Sequence, residues 1–101
     1  LLGLRVLHSL QIMHRDLKCA NVFLTKAGEV KLGDLNVTSP EEWIMHELKG
    51  TPYYASPEVW EDKPYDFKSD MWSLGCVIYE TVSLKAPFKA ESMDDLYKKV
   101  K

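Results

Sequence analysis

Within His14-Arg15-Asp16-Leu17-Lys18-Cys19-Ala20-Asn21, a carboxylate, an ammonium and a carboxamide lie inside one short stretch. Together these groups are equipment for phosphoryl transfer. An acid can orient an attacking hydroxyl, a cation can offset charge on the moving phosphoryl group, and a carboxamide oxygen can ligate a hard metal ion. A further carboxylate, Asp34, follows 18 residues after Asp16, at the end of a short β-prone run. From there its side chain can face back toward the first loop. With Asn21 it would offer oxygen to magnesium, which keeps several waters and takes only one or two protein carboxylates. Asp16 need not be a strong base, because a largely dissociative transition state asks mainly for orientation.

Several elements must hold these groups in place. Leu1, Leu4, Leu7 and Leu10 recur near helical spacing as far as Ile12-Met13, which predicts an amphipathic helix feeding the loop. Val22-Phe23-Leu24-Thr25 and Val30-Lys31-Leu32, separated by Lys26-Ala27-Gly28-Glu29, read as a hairpin. From Asp34 to Glu58 run 25 residues interrupted by Pro40, Pro52 and Pro57, a length that a compact domain keeps for function. Ser69 to Val82 carries apolar groups around almost its whole circumference and is predicted to be a core helix. Ser92, with Asp95 three positions on, caps a last helix whose acidic start and lysine-rich end suit the helix dipole. The fold class is α+β, and no repeat, linker or composition shift divides residues 1–101.

Composition narrows the field. At 101 residues, 46% hydrophobic and 28% charged, the chain has ordinary globular character. A net charge of −2 with both signs interspersed leaves no electrostatic footprint for nucleic acid or an anionic surface. No apolar run approaches the ~18 residues of a membrane span, so membrane insertion is not expected. Cys19 and Cys76, 57 positions apart, form neither a metal-type spacing nor a disulfide framework and read as small apolar residues in a reducing compartment. The chain opens without Met on a mid-helix pattern and stops inside another, so it reads as a piece of a longer protein.

The motifs resemble those of the eukaryotic protein kinases, from end to end. His14 to Asn21 matches the catalytic-loop pattern H-R-D-L-x-x-x-N. Gly50-Thr51-Pro52-Tyr53-Tyr54-Ala55-Ser56-Pro57-Glu58 resembles the end of an activation segment, and Asp70-Met71-Trp72-Ser73-Leu74-Gly75 the start of the large lobe's central helix. Lys18 with Thr51 is similar to the serine/threonine branch, and the wording around Thr51 and Tyr65 looks most like the NIMA-related kinases. The resemblance implies a partial kinase-like large lobe over residues 1–101 and a parent that moves the terminal phosphate of magnesium-ATP to a protein serine or threonine. It implies that Asp16 receives the hydroxyl proton, Lys18 stabilises charge near the nucleotide, and Asn21 and Asp34 hold Mg2+. Arg15 would hold a negative group on the activation segment, Thr51 would shape the substrate loop, and Asp70 would brace the catalytic loop through backbone hydrogen bonds. Glu58 would await an arginine from a later helix. By family analogy the protein is cytoplasmic, with cell-cycle, centrosomal or ciliary work.

Two departures stand out. The family's Asp-Phe-Gly is here Asp34-Leu35-Asn36, which keeps the carboxylate, shrinks the apolar plug and stiffens the hinge, although Asn tolerates left-handed angles. Glu47 stands where relatives often carry a phosphorylatable threonine, and its single charge would pair with Arg15 more weakly than phosphate does. The chain has no Gly-rich phosphate loop, small-lobe lysine or helix glutamate, so the segment alone is expected to be inactive and prone to aggregate. The competing reading is a pseudokinase scaffold that binds protein partners without turnover. Plainer roles belong to His14 as a core residue, to Trp43, Trp60 and Trp72 as packing groups, to Tyr53 and Tyr54 as loop residues near the peptide substrate, and to Glu47 as a solvated charge.

Overall fold

The computed structural model describes residues 1–33 and 52–101. Helix α1 (Leu2–Ser9) stops earlier than the leucine spacing predicts. Gln11 enters the left-handed region (φ 59°), and the amides of Leu10, Gln11 and Ile12 turn back onto the carbonyls of Val6, Leu7 and His8. That reversal points the chain into the loop beginning at His14.

A single 3-10 turn, Cys19–Asn21, leads into strand β1 (Val22–Leu24), which pairs antiparallel with β2 (Val30–Leu32). The register sets Val22 against Leu32 and Leu24 against Val30. Thr25 closes the connection. Its amide bonds the Glu29 carbonyl at 2.9 Å, its hydroxyl accepts from the Glu29 amide at 3.1 Å, and Gly28 supplies the positive φ of 82° that the turn needs. The hairpin therefore falls where the sequence puts it. β2 lies against α1, where a Cβ on Gly3 would stand 3.5 Å from Leu32 Cδ1.

Helix α2 (Pro57–Trp60) begins on a proline, whose missing N–H costs nothing at a helix start. The long helix α3 (Phe67–Ser83) begins in a capping box. Asp66 accepts from the amides of Lys68 and Ser69 at 2.8 and 3.1 Å, and the Ser69 hydroxyl accepts from the Asp66 amide at 3.3 Å. Asp66→Ala should destabilise the full-length protein by about 1 kcal/mol, read from its denaturant midpoint; an unmoved midpoint would remove the cap's importance. Helix α4 (Met93–Val100) is capped by Ser92, which accepts from the Asp95 amide at 3.2 Å. It packs on α2 through Trp60 and Tyr97, 5.7 Å between ring centres, over buried Leu96 and Val100.

Within residues 1–101, α3 has a buried stripe and an exposed apolar face, the exposed surface expected of a piece of a larger lobe. Its buried stripe is Ser69, Asp70, Ser73, Cys76 and Val77, mostly small or polar, whereas Met71, Ile78, Tyr79 and Val82 are exposed. Apolar composition alone does not tell which face turns inward. The inward face is chosen by the loop it must hold, and small polar residues let backbone approach closely.

Candidate active site

The loop from His14 to Asn21 is fixed from within and from below. His14 is fully buried: Nδ1 accepts from the Asp16 amide at 3.2 Å, so Nε2 carries the proton and donates to the Gly33 carbonyl at 2.9 Å. Gly33 in turn donates its own amide to the Asn21 carbonyl at 2.9 Å. The end of β2 is thus stitched to both ends of the loop. Leu17, 3% exposed, anchors the middle. His14 is structural here, the plainer of its two readings.

Around Asp16 the expected groups converge. The Asn21 amide nitrogen donates to the Asp16 carbonyl at 2.7 Å and to Oδ2 at 3.0 Å, while Lys18 Nζ stands 3.3 Å from Oδ1. With its nitrogen committed twice, only the carboxamide oxygen of Asn21 could serve a metal ion. Lys18 and Asn21 thus both contact Asp16, and a carboxamide oxygen is of the donor type that Mg2+ takes. Asp34, Glu47 and Thr51 lie outside the described residues.

Asp70, 0% exposed, sits beneath this loop. Its Oδ2 accepts from the His14 amide at 2.8 Å and its Oδ1 from the Arg15 amide at 2.9 Å. Arg15 itself is in the left-handed region (φ 68°), an unfavourable setting for a side-chain-bearing residue that the Asp70 contact helps to hold. Two more donors reach the same carboxylate: His8 Nε2 on Oδ2 at 2.8 Å, and the Tyr65 hydroxyl on Oδ1. A carboxylate only accepts, so His8 Nε2 must carry a proton. The four donors leave a buried charge well compensated.

The neighbouring segment is tied to the same helix. Ser73 Oγ donates to the Tyr54 carbonyl at 2.9 Å, and the Tyr54 hydroxyl donates to Glu80 Oε2 at 2.5 Å. Burial first, and the Glu80 bond second, push the Tyr54 phenol far above its ordinary range. Burial also raises the Cys19 thiol; the Tyr54 hydroxyl opposes this and the Glu80 charge adds to it. Arg15, Asp16, Lys18, Tyr54, Tyr65 and Ser73 are among the residues that line a cavity of 20 Å³ between loop and helix. Glu58 accepts from the Ser69 hydroxyl at 2.6 Å. Its carboxyl is pushed up by burial, yet the Ser69 bond and its own backbone amide outweigh this and hold it below the usual carboxylate range.

Sequence reasoning singled out Asp16, Lys18, Asn21, Glu58 and Asp70, and the structure brings the first three together over the last. It gave no site role to His8, Tyr65 or Glu80, and read Tyr54 only as a loop residue near the peptide substrate. His8 lies 62 residues from Asp70, and nothing in local spacing could pair them. Tyr65, five residues before Asp70, was within reach of a motif reading.

Known proteins resemble the chain over its length. The family model described as protein kinase domain matches residues 1–101. Serine/threonine-protein kinase Nek3 of Mus musculus is 48% identical over 98% of the chain, and serine/threonine-protein kinase Nek1 of the same organism is 46% identical over 98%. A putative serine/threonine-protein kinase A of Trypanosoma brucei brucei is 43% identical over 98%. The chain spans 20%, 8% and 24% of the lengths of these three relatives. Because the match runs from its first residue to its last, the chain belongs to the protein kinase domain family.

Proposed function

We propose that the full-length protein is a serine/threonine kinase that transfers the terminal phosphate of ATP to hydroxyl groups of protein substrates. The observation that carries this reading is the meeting of Asp16, Lys18 and Asn21 in one loop clamped onto Asp70. Asp16 lines up the substrate hydroxyl and accepts its proton as the new oxygen–phosphorus bond forms and the bond to the ADP oxygen breaks. Lys18, 3.3 Å from Asp16, brings positive charge to the phosphoryl oxygens where negative charge is densest. Asn21 and Asp34 would hold Mg2+, which when bound neutralises phosphate charge and fixes the phosphates for in-line transfer. Thr51 shapes the loop that receives the peptide. Glu47 would offer Arg15 a fixed negative charge and so make activation less dependent on phosphorylation than in relatives; unchanged activity of Glu47→Ala would remove that element.

Retention of Asp16, Lys18 and Asn21 in mutual contact favours the enzyme over a scaffold without turnover. The test uses purified full-length protein, labelled ATP, Mg2+ and a mixture of protein substrates. Label on serine and threonine, lost on adding a chelator, is the expected result. Absence of transfer, or label on tyrosine alone, would overturn the proposal.

A further inference from the structure

The buried carboxylate of Asp70 is held in a symmetrical way among the described residues. Each oxygen takes one loop amide and one side-chain donor: His14 N with His8 Nε2 on Oδ2, Arg15 N with the Tyr65 hydroxyl on Oδ1. The amides are the load, and the two side chains set the angle from which the carboxylate carries it. We infer that Tyr65 is a positioning residue for phosphoryl transfer, fixing through Asp70 Oδ1 the backbone of Arg15 and with it the aspartate that follows. The inference rests on the kinase reading above.

Three observations support the role. First, Tyr65 shares its acceptor oxygen with the amide of the one loop residue in left-handed backbone (Arg15, φ 68°), so its hydroxyl acts where the loop most needs restraint. Second, its side chain lines the small cavity that Arg15, Asp16 and Lys18 also line, which seats it against the reacting loop and not on a remote surface. Third, burial, and after it the bond to Asp70, push the Tyr65 phenol far above its ordinary range. Both influences favour the protonated hydroxyl that donates to Asp70. His8 donates to the other oxygen, Oδ2, from α1.

Removing only the hydroxyl leaves Oδ1 with the Arg15 amide and allows the carboxylate to rotate. Arg15 can then relax toward ordinary angles, and Asp16 shifts with it. Alignment suffers more than nucleotide binding, for which Asp16 supplies no ligand. The variant is Tyr65→Phe in the full-length protein, because Phe keeps the ring and its packing. Rates are to be counted per folded molecule, using a fluorescent ATP analogue to titrate competent sites. The expected result is a kcat about tenfold lower, the factor for one hydrogen bond to a charged group, with KM for ATP within about twofold. Amide hydrogen exchange at His14 and Arg15 should quicken.

A kcat per folded molecule within twofold of wild type overturns the inference, as does a loss confined to KM or to the folded fraction. Asp16→Asn measured alongside separates the two readings. If wild-type protein transfers no phosphate, the kinase proposal itself fails. If wild type is active, Asp16→Asn is crippled and Tyr65→Phe is normal, only the role of Tyr65 is lost.

Discussion

Asp16→Asn in the full-length protein will lower kcat by about 10³-fold, within the 10²–10⁴ range typical of a positioned general base. The replacement keeps size and shape but turns one acceptor oxygen into a donor. In the wild type Oδ2 accepts from Asn21 and Oδ1 faces Lys18 Nζ. The variant must therefore set an NH2 group against either an amide donor or an ammonium. That mismatch costs about 1 kcal/mol of stability, small beside the catalytic loss, so a melting curve near wild type should accompany the drop in rate. Steady-state kinetics at saturating ATP and substrate measure it. Activity within tenfold of wild type would mean that another group receives the proton.

Asp70→Ala should do its damage to the fold as well as to the rate. It removes the acceptor that the amides of His14 and Arg15, His8 Nε2 and the Tyr65 hydroxyl share, at a position that water does not reach. Each unsatisfied buried donor costs about 1–3 kcal/mol, and together roughly 3–5 kcal/mol is expected after local relaxation. A protein whose whole margin is about 5–15 kcal/mol will then be poorly soluble at 37 °C and stable only when cold. Asp70→Asn, which keeps one acceptor, should fall between the two. Chemical denaturation and phosphate transfer on the same samples decide it. An Asp70→Ala protein with an unmoved midpoint and undiminished rate would show that the loop is held by something else.

Local patterns in the chain were enough to place the hairpin, the Ser92 cap and the presence of the long helix, because each depends on residues within a few positions of one another. The site was legible in part for the same reason: Asp16, Lys18 and Asn21 lie in six residues, and a loop that short must bring them together. Contacts that depend on the packed fold were not. His8 reaches Asp70 only because α1 and the start of α3 meet, with the His8 and Phe67 rings 4.8 Å apart. Which residues of α3 face the loop was likewise not legible. Met71, Ile78 and Val82 suggested a core face, yet the stripe turned inward is led by Ser69, Asp70 and Ser73. Hydrophobicity ranks residues by transfer to an apolar phase, and it cannot say that a helix is wanted for the acceptors and small side chains on its other side.

The trio of Cys19, Tyr54 and Glu80 bears on how chemists could approach this cleft. A half-exposed sulfur next to Lys18 invites an electrophilic inhibitor, but here burial and the Glu80 charge keep it in the unreactive thiol form. Alkylation of Cys19 by iodoacetamide at pH 7.5, followed by mass spectrometry, should run slower than for glutathione, with its rise displaced to higher pH. A warhead for this position must therefore bring its own base.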